Sequence, residues 1–284
     1  MSEILLDIKN LKKYFPLKKG FLGRTQGFVR AVDDVTLTIA QGEHFGIVGE
    51  SGSGKSTLAR LVLKLLPFDS GSVAFKGQDI GPLRGKEFRP FRKELQMIFQ
   101  DPYSSLDPRY MIRDILKEAM RLEGVGSEQR LQEMLTAVGL EKEMLNRYPH
   151  EFSGGERQRI AIARALTVNP QLLILDEAVS SLDVLVQEQI LKLLEALQKQ
   201  FNLTYLFISH NLKVVRKMSQ RIAVMYQGKI VELASTEEIF NNPIHPYTQE
   251  LLSAAIHYQS TGQKEIMKPQ GRLVDQGGGH FVLV

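Results

Sequence analysis

A glycine-rich stretch early in the chain has the residue types and spacing that bind phosphate groups. Residues 49–56 read Gly-Glu-Ser-Gly-Ser-Gly-Lys-Ser, which matches the P-loop pattern. The glycines let consecutive backbone N–H groups converge on an anion where a helix begins. Lys55 can then reach the β- and γ-phosphates of a nucleotide, and Ser56 can bind Mg²⁺. The predicted phosphate-binding residues are Gly49, Glu50, Ser51, Gly52, Ser53, Gly54, Lys55, Ser56 and Thr57.

Two carboxylates and a histidine follow buried apolar runs later in the chain. Asp176 and Glu177 come directly after the aliphatic run 172–175. Ligands of α/β proteins bind at the carboxyl ends of parallel strands, so we expect Asp176 to hold Mg²⁺ or its water shell. Glu177 is then placed to accept a proton from an attacking water. His210 follows a second run, 205–208, on the same predicted sheet edge, where its imidazole can contact the γ-phosphate.

A second stretch also has anion-binding chemistry. Residues 152–156 read Phe-Ser-Gly-Gly-Glu, the capping order of a serine followed three residues later by a glutamate. A helix that begins at this stretch directs its free backbone N–H groups at an anion. The chain therefore contains two stretches suited to phosphate.

The elements that position these residues follow from the hydrophobic periodicity. Residues 34–39 alternate between polar and apolar, which predicts a half-buried strand, and residues 44–48 predict the strand before the glycine loop. Short apolar runs that alternate with helices indicate buried parallel strands in an α/β sheet. Helices are predicted around four apolar stripes, which begin at Leu58, Ile112, Leu131 and Ile190.

Three further segments complete the organisation of the chain. Residues 9–30 carry seven basic side chains and no acidic one, with proline and glycine interspersed, which predicts a loop with a positive face. Residues 222–233 predict a hairpin that turns at Gln227-Gly228. Beyond about residue 255 the pattern ends, which predicts a weakly ordered tail.

Composition excludes several classes of protein. With 284 residues, 43% hydrophobic and 24% charged, the chain is neither disordered nor fibrous, and its net charge of +4 does not predict nucleic-acid binding. The absence of cysteine excludes disulfides, Cys-ligated zinc and Cys-ligated iron–sulfur clusters. No apolar run approaches the roughly 18 residues of a membrane span, and charged residues interrupt the first twenty, so we expect a cytosolic protein without a signal peptide.

The order of the motifs resembles the ATP-binding cassette (ABC) ATPases over residues 1 to about 235. In chain order these motifs are the glycine loop, Gln100, Ser153-Gly154-Gly155, Asp176-Glu177, Ser181-Leu182-Asp183 and His210. The resemblance implies an α/β fold: a P-loop NTPase with a RecA-like core and a parallel sheet, an antiparallel β subdomain and an inserted α-helical subdomain at roughly 101–160. Residues 236–284 would then be a C-terminal extension.

The resemblance also implies roles for individual residues. It implies a head-to-tail dimer in which ATP lies between the Lys55 loop of one subunit and Ser153, Gly154 and Gly155 of the other. Gln100 would sense Mg²⁺ and the attacking water, Asp183 would bond across the dimer, and His210 would contact the γ-phosphate. The binding residues so implied are Ser153, Gly154, Gly155, Glu156 and Asp183; the catalytic ones are Glu177, His210 and Gln100; and the metal ligands are Ser56, Gln100 and Asp176.

Two positions carry open alternatives. Glu156 stands where the family most often has glutamine, and its carboxylate can still accept a hydrogen bond from a ribose hydroxyl. An aromatic side chain upstream of the glycine loop should stack on adenine. We choose Tyr14, which follows the first predicted strand, with Phe28 as the alternative.

The segment 100–109 and the tail segment 242–248 narrow the resemblance. They look like the second, shorter ATPase of the pair in bacterial oligopeptide, dipeptide and nickel importers. This implies ATP and Mg²⁺ as cofactors, and as partners two transmembrane permease subunits and a second ABC ATPase, either a related chain or a second copy. It also implies an extracytoplasmic solute-binding protein as an indirect partner, no nucleic acid, and a peripheral location on the cytoplasmic face of the cell membrane.

Other functions compete with a peptide importer. A nickel importer fits the same motifs, and a soluble cassette ATPase that acts on nucleic acid or ribosomes would have no membrane partner. Such soluble ATPases usually fuse two cassettes or carry strongly basic arms, which the chain lacks. A regulatory subunit with little hydrolysis is disfavoured by the intact set of Asp176, Glu177 and His210.

Overall fold

The structure, a computed structural model, describes residues 3–19, 24–101, 106–120, 127–256 and 269–284. The chain divides into two compact units. The first unit combines Met1–Leu83 with Phe207–Val284, and the second unit is the continuous segment Arg84–Leu206. The first unit is therefore built from both ends of the chain.

The helices and strands alternate along the chain. The first unit begins with β1 (Ile4–Lys19), β2 (Arg24–Ala40), β3 (His44–Val48), α1 (Lys55–Val62), β4 (Ser70–Phe75) and β5 (Gln78–Asp79). The second unit contains α2 (Gly85–Glu94), β6 (Leu95–Ile98), α3 (Ile112–Met120), α4 (Glu128–Ala137), α5 (Gly154–Leu166), β7 (Leu172–Asp176) and α6 (Val184–Phe201). Short 3₁₀ helices occupy Lys142–Asn146 and Pro149–Glu151.

The chain then returns to the first unit. Strand β8 (Thr204–Ile208) carries it across the boundary between the two units. The remaining elements are α7 (Leu212–Met218), β9 (Arg221–Tyr226), β10 (Lys229–Ser235), α8 (Thr236–Asn241), α9 (Pro246–Ile256), β11 (Leu273–Asp275) and β12 (Phe281–Leu283).

The basic segment near the start of the chain is a β-hairpin. The predicted loop over residues 9–30 is wrong for residues 9–19 and 24–30, because β1 and β2 pair antiparallel there, with Tyr14 opposite Arg30 and Pro16 opposite Phe28. Residues 20–23 lie outside the described residues. The outer part of the hairpin exposes side chains on both faces, so apolar and polar residues do not have to alternate along its strands. Register shifts between the strands interrupt the two-residue period further. With β4 and β5 these strands form a four-stranded sheet in the order β2-β1-β4-β5.

A second sheet of the first unit runs in the order β11-β12-β10-β9-β3. Strands β3 and β9 are parallel, with Val48 opposite Val224. The predicted hairpin that turns at Gln227-Gly228 is confirmed as β9 and β10. Strand β12 adds to β10, with Leu233 opposite Phe281. The predicted weakly ordered tail is therefore wrong for residues 269–284, which join this sheet, while residues 257–268 lie outside the described residues.

The second unit contains the predicted middle helices and a parallel strand pair. Strands β6 and β7 pair in parallel, with Ile98 opposite Leu175, as the buried apolar run predicts. The predicted stripe of α6 is buried at Ile190, Leu194 and Leu197. Among the residues that the structure describes, no helix combines the length and the apolar character that crossing a membrane requires.

Candidate nucleotide-binding site

The glycine loop connects β3 to α1 in a conformation that requires glycine. Gly49 has φ +147°, and a Cβ added there would lie 2.1 Å from the carbonyl oxygen of Met225. Gly54 has φ +112°, and its added Cβ would lie 2.0 Å from the carbonyl oxygen of Ala31. Both glycines therefore meet a left-handed backbone and a close approach of another backbone segment.

The lysine of the loop is buried among backbone oxygens. The Nζ atom of Lys55 donates to the carbonyl oxygens of Gly49 and Glu50, each at 2.7 Å, and to Ser53 Oγ at 3.3 Å. The residue is only 5% exposed. Its ammonium group and the first N–H groups of α1 thus concentrate positive charge at the loop, which suits a phosphate.

The residues suited to hold Mg²⁺ have the appropriate donor chemistry. Ser56, half-buried in the first turn of α1, supplies a hydroxyl, and Asp176 supplies a carboxylate that is 7% exposed. Among the described residues, no group of three or more His, Asp and Glu side chains forms a metal site.

His210 lies in the first unit, just beyond the end of β8. The preceding residue, Ser209, donates its backbone N–H to the carbonyl oxygen of Ile47 in β3 at 3.2 Å. The side chain of His210 is exposed. The chain segment that carries this imidazole thus leaves β8 beside the strand that enters the glycine loop.

The two candidate aromatic residues differ in their surroundings. Tyr14 donates its hydroxyl to Asp33 Oδ1 at 2.5 Å, and the Arg30 guanidinium lies 5.7 Å from its ring centroid. Burial, together with the hydrogen bond to Asp33, raises the pKa of Tyr14 to about 12. Phe28 lies on the facing strand β2 and is 62% exposed.

In the second unit, the two carboxylates stand at the end of β7. Asp176 is the last residue of the strand, and Glu177 adopts a left-handed backbone with φ +50°. The carbonyl oxygen of Glu177 accepts hydrogen bonds from the N–H of Ser180 at 3.0 Å and from its hydroxyl at 2.8 Å. A left-handed non-glycine residue costs about 1 to 3 kcal/mol. The sharp turn at Glu177 was not visible in the residue pattern.

Gln100 follows β6, the parallel neighbour of β7, so it reaches the same sheet edge as Asp176. The hydroxyl of Ser181 donates to the carbonyl oxygen of Gln100 at 3.3 Å. This bond ties the start of the predicted segment 100–109 to the segment that follows the carboxylates. Residues 102–105 of that segment lie outside the described residues.

The second anion-binding stretch opens α5 with a reciprocal cap. The hydroxyl oxygen of Ser153 accepts a 3.3 Å hydrogen bond from the N–H of Glu156, and the Glu156 carboxylate accepts from the Ser153 N–H and hydroxyl. The Ser153 backbone N–H and then its hydroxyl hold the pKa of Glu156 below its ordinary value. The carboxylate is therefore committed to Ser153.

The start of α6 packs beside this cap and carries residues that sequence reasoning missed. A Cβ added at Gly155 would lie 2.5 Å from Val186 Cγ1, so the two helix starts approach closely. Asp183 caps α6 by accepting from the Val186 N–H at 3.0 Å. Val184 and Leu185 are 80% and 75% exposed. Both residues lie off the buried stripe of α6, so the sequence pattern already places two adjacent aliphatic side chains outside the core.

Comparison with known protein families identifies two regions of the chain. Residues 32–180 match the family described as ABC transporter. Residues 231–277 match the family described as oligopeptide/dipeptide transporter, C-terminal region.

Individual relatives agree with these matches. The oligopeptide transport ATP-binding protein AppF of Bacillus subtilis (strain 168) is 51% identical over 258 residues, covering 89% of this chain and 78% of AppF. OppF of Streptococcus mutans, which has the same description, is 44% identical over 295 residues, covering 98% of this chain and 94% of OppF.

Solved structures share the fold. The cbiO1 protein of Clostridium perfringens, part of the cbiONQ ABC transporter complex, superposes with a TM-score of 0.72 at 26% identity, covering 84% of this chain and 92% of cbiO1. A dimeric ATP-binding cassette in a post-hydrolysis state, bound to ADP and phosphate, gives a TM-score of 0.70 at 28% identity. The match covers 82% of this chain and 99% of that cassette. The predicted α/β P-loop NTPase fold is confirmed.

Proposed function

The chain belongs to the ABC transporter family, and on this premise we propose that it is the ATP-hydrolysing subunit of an importer of oligopeptides or dipeptides. The observation that carries the proposal is the presence of two features in one chain. These are a glycine loop with Lys55 folded into it and a C-terminal region like that of oligopeptide/dipeptide transporters. The division into an ATPase domain, 1–235, and an extension, 236–284, is part of the proposal.

The residues of the glycine loop would bind the nucleotide phosphates. The Lys55 ammonium exchanges its bonds to the carbonyl oxygens of Gly49 and Glu50 for bonds to phosphate oxygens, while N–H groups of the loop beyond Glu50 and of α1 bind the rest. Glu177 accepts the proton of the attacking water, His210 contacts the γ-phosphate, and Gln100 orients the water.

The metal ligands would be Ser56, Asp176 and Gln100. Mg²⁺, when bound there, neutralises charge that develops on the phosphate oxygens during transfer. These three side chains supply only oxygen ligands, which matches the preference of a hard cation.

The adenine ring would stack on Tyr14. The hydrogen bond to Asp33 fixes the tyrosine ring, so stacking costs little side-chain entropy. Replacing Tyr14 with Ala should then weaken ATP binding more than replacing Phe28 with Ala. The reverse order would assign the stacking to Phe28.

Each nucleotide would lie between two subunits arranged head to tail. Ser153, Gly154 and Gly155 would face the nucleotide held by the glycine loop of the partner, and Asp183 would bond across the interface. The exposed Val184 and Leu185 beside Asp183 support an interface at this place, since apolar side chains gain free energy when a partner covers them.

The remaining partners would be two transmembrane permease subunits, a second ABC ATPase and, indirectly, an extracytoplasmic solute-binding protein. The chain would work at the cytoplasmic face of the cell membrane as a peripheral subunit. Closure of the ATPase pair on ATP would then move the permease subunits between their two states.

Two substitutions test the ATPase assignment. Glu177→Gln should leave ATP binding intact and abolish turnover, because the amide accepts no proton, whereas Lys55→Ala should weaken nucleotide binding itself. Isothermal titration calorimetry measures the binding and phosphate release measures the turnover. Unchanged ATPase activity in Glu177→Gln would contradict the role of Glu177 as the base.

Identifying the transported solute requires an experiment on the assembled complex. We expect permease subunits to co-purify with the chain from solubilised membranes, and peptides to stimulate ATPase activity after reconstitution with the solute-binding protein. Stimulation by Ni²⁺ in place of peptides would identify a nickel importer. Co-purification of nucleic acid without membrane proteins would contradict the transport function.

A further inference from the structure

A tyrosine of the C-terminal region contacts the backbone of the glycine loop. The backbone N–H of Glu50 donates a 3.0 Å hydrogen bond to the hydroxyl oxygen of Tyr247, a residue 197 positions further along the chain. Tyr247 belongs to the first turn of α9 and is only 2% exposed. Both residues lie in the first unit.

The side chain of Tyr247 has little freedom to move. Its ring stacks on Tyr226, with 4.1 Å between the ring centroids, and packs in a buried cluster that includes Val48 and Val224 of the central strands. Burial raises the pKa of Tyr247 to about 12, so the phenol is protonated at neutral pH. The hydroxyl therefore stays at a fixed point beneath the loop.

A buried carboxylate holds the segment that carries Tyr247. Glu232 in β10 is fully buried, and it accepts hydrogen bonds from the backbone N–H groups of Ile244 at 2.8 Å and His245 at 3.0 Å. His280, next to β12, lies 2.6 Å from the same carboxylate. The tail segment before α9 is thus tied to the sheet by one acidic side chain.

His245 completes the link to Tyr247. Its Nδ1 atom accepts the backbone N–H of Tyr247 at 3.1 Å, which places a side-chain cap on the start of α9. Burial holds the pKa of His245 below its ordinary value, so the ring is neutral and Nδ1 can accept. A chain of contacts therefore runs from Glu232 through His245 and Tyr247 to Glu50.

Glu50 is also a residue that holds the lysine of the loop. Its carbonyl oxygen accepts the Lys55 ammonium at 2.7 Å and the Ser53 N–H at 3.2 Å, while its N–H is bound to Tyr247. The N–H of Glu50 thus contacts the C-terminal region, and its carbonyl oxygen contacts Lys55. A shift of Glu50 would move the carbonyl that Lys55 uses.

We propose that Tyr247 is a positioning residue for nucleotide binding, whose hydroxyl fixes the Glu50 backbone and with it the geometry of the glycine loop. This inference rests on the proposed ATPase function. It assigns to the C-terminal extension a direct part in the phosphate site. Without the hydroxyl, the loop loses a fixed hydrogen-bond acceptor and samples conformations that do not bind phosphate. This loss of preorganisation lowers the affinity for nucleotide.

The test replaces Tyr247 with Phe in the full chain, which keeps the ring and its packing. We expect the Kd for ATP and the KM for ATP to rise about 3- to 10-fold, as the loss of one neutral hydrogen bond implies, with kcat nearly unchanged. Hydrogen exchange of the Glu50 amide should become faster.

The matched control is Tyr226→Phe. It removes the hydroxyl from the other ring of the stacked pair, and that hydroxyl accepts a hydrogen bond from the exposed side chain of Gln227 and none from the glycine loop in the described structure. We expect nucleotide affinity and Glu50 exchange to match the unsubstituted chain.

The outcomes separate the two proposals. Failure of the unsubstituted chain to bind ATP would contradict the proposed function. Binding of ATP by the unsubstituted chain, with equal affinity and equal Glu50 exchange in Tyr247→Phe, would overturn the role of Tyr247. A lower melting temperature with unchanged KM would also overturn it, because that is the result of a purely structural contact.

Discussion

The carboxylate of Glu156 accepts two hydrogen bonds from Ser153, one from its backbone N–H and one from its hydroxyl, each 2.8 Å long. The stretch that resembles a phosphate-binding signature therefore carries its own negative charge at the start of α5. An acidic group stabilises a helix N-terminus, but it also opposes a second anion at the same place.

We predict that Glu156→Gln strengthens ATP-dependent dimerisation by a few-fold, because the amide removes the charge that an incoming phosphate meets. The same change should lower the free energy of unfolding by about 0.5 to 1 kcal/mol, since a neutral cap interacts less favourably with the helix dipole. Dimerisation is measured by analytical ultracentrifugation with ATP, in a chain that also carries Glu177→Gln to prevent hydrolysis.

The pH dependence of this stability difference follows from the lowered pKa of Glu156. A lowered carboxylate pKa contributes stability above the unfolded pKa and loses it as the pH falls through the folded pKa. The difference in the free energy of unfolding between Glu156→Gln and the unsubstituted chain should therefore vanish in acid.

Glu151→Gln is the matched control for the loss of a capping carboxylate, because the Glu151 carboxylate also caps a helix start by accepting the Tyr148 N–H. Weaker dimerisation in Glu156→Gln would contradict the repulsion.

Gly54→Ala should destabilise the first unit by about 2 kcal/mol or more. The left-handed backbone at Gly54 disfavours a Cβ, and the added Cβ would clash with the carbonyl oxygen of Ala31. Gly52→Ala is the comparison: Gly52 has φ +83°, but its added Cβ would meet nothing within 4 Å. It should cost about 1 to 2 kcal/mol from the backbone conformation alone. Denaturant unfolding measures both, and equal losses would show that the Ala31 contact is unimportant.

His280→Ala should lower the free energy of unfolding by about 1 to 3 kcal/mol, because it deprives a fully buried carboxylate of a hydrogen-bond partner. The exposed His150 serves as control, and its replacement by Ala should change stability by no more than about 0.5 kcal/mol. A double-mutant cycle with Glu232→Gln isolates the interaction. A coupling energy of zero would contradict the direct contact.

Tyr14 should ionise only near pH 12, and ultraviolet difference spectroscopy against Tyr14→Phe detects that step. A raised pKa means that the stabilisation is complete below the unfolded value of 10.0 and is lost as the pH rises through about 12. Asp33→Asn should return the ionisation toward its ordinary value, since it removes the charged acceptor. Ionisation at the ordinary value in the unsubstituted chain would contradict the hydrogen bond.

Local patterns predicted the elements that carry the candidate site residues better than they predicted the first hairpin of the chain. The glycine loop and the strand that ends at Asp176 could be identified because glycine conformation and apolar runs are properties of neighbouring residues. The hairpin β1–β2 could not, because its outer part is exposed on both faces and held by backbone hydrogen bonds, which leave no trace in side-chain type.

The contact of Tyr247 with Glu50 was invisible for a different reason. The two residues are 197 positions apart, and the pair is defined by the tertiary packing of α9 rather than by any spacing. From its neighbours alone, a tyrosine between a proline and a threonine is indistinguishable from an ordinary loop residue.

The discontinuous first unit has a consequence for the order in which the protein is made. During synthesis the glycine loop leaves the ribosome early, whereas β9, β10 and the segment that carries Tyr247 and Glu232 are translated after the whole second unit. Domains generally fold as units while the chain grows. The second unit can therefore fold first, and the nascent glycine loop has to wait for the last third of the chain before it acquires its parallel neighbour β9 and the tyrosine beneath it.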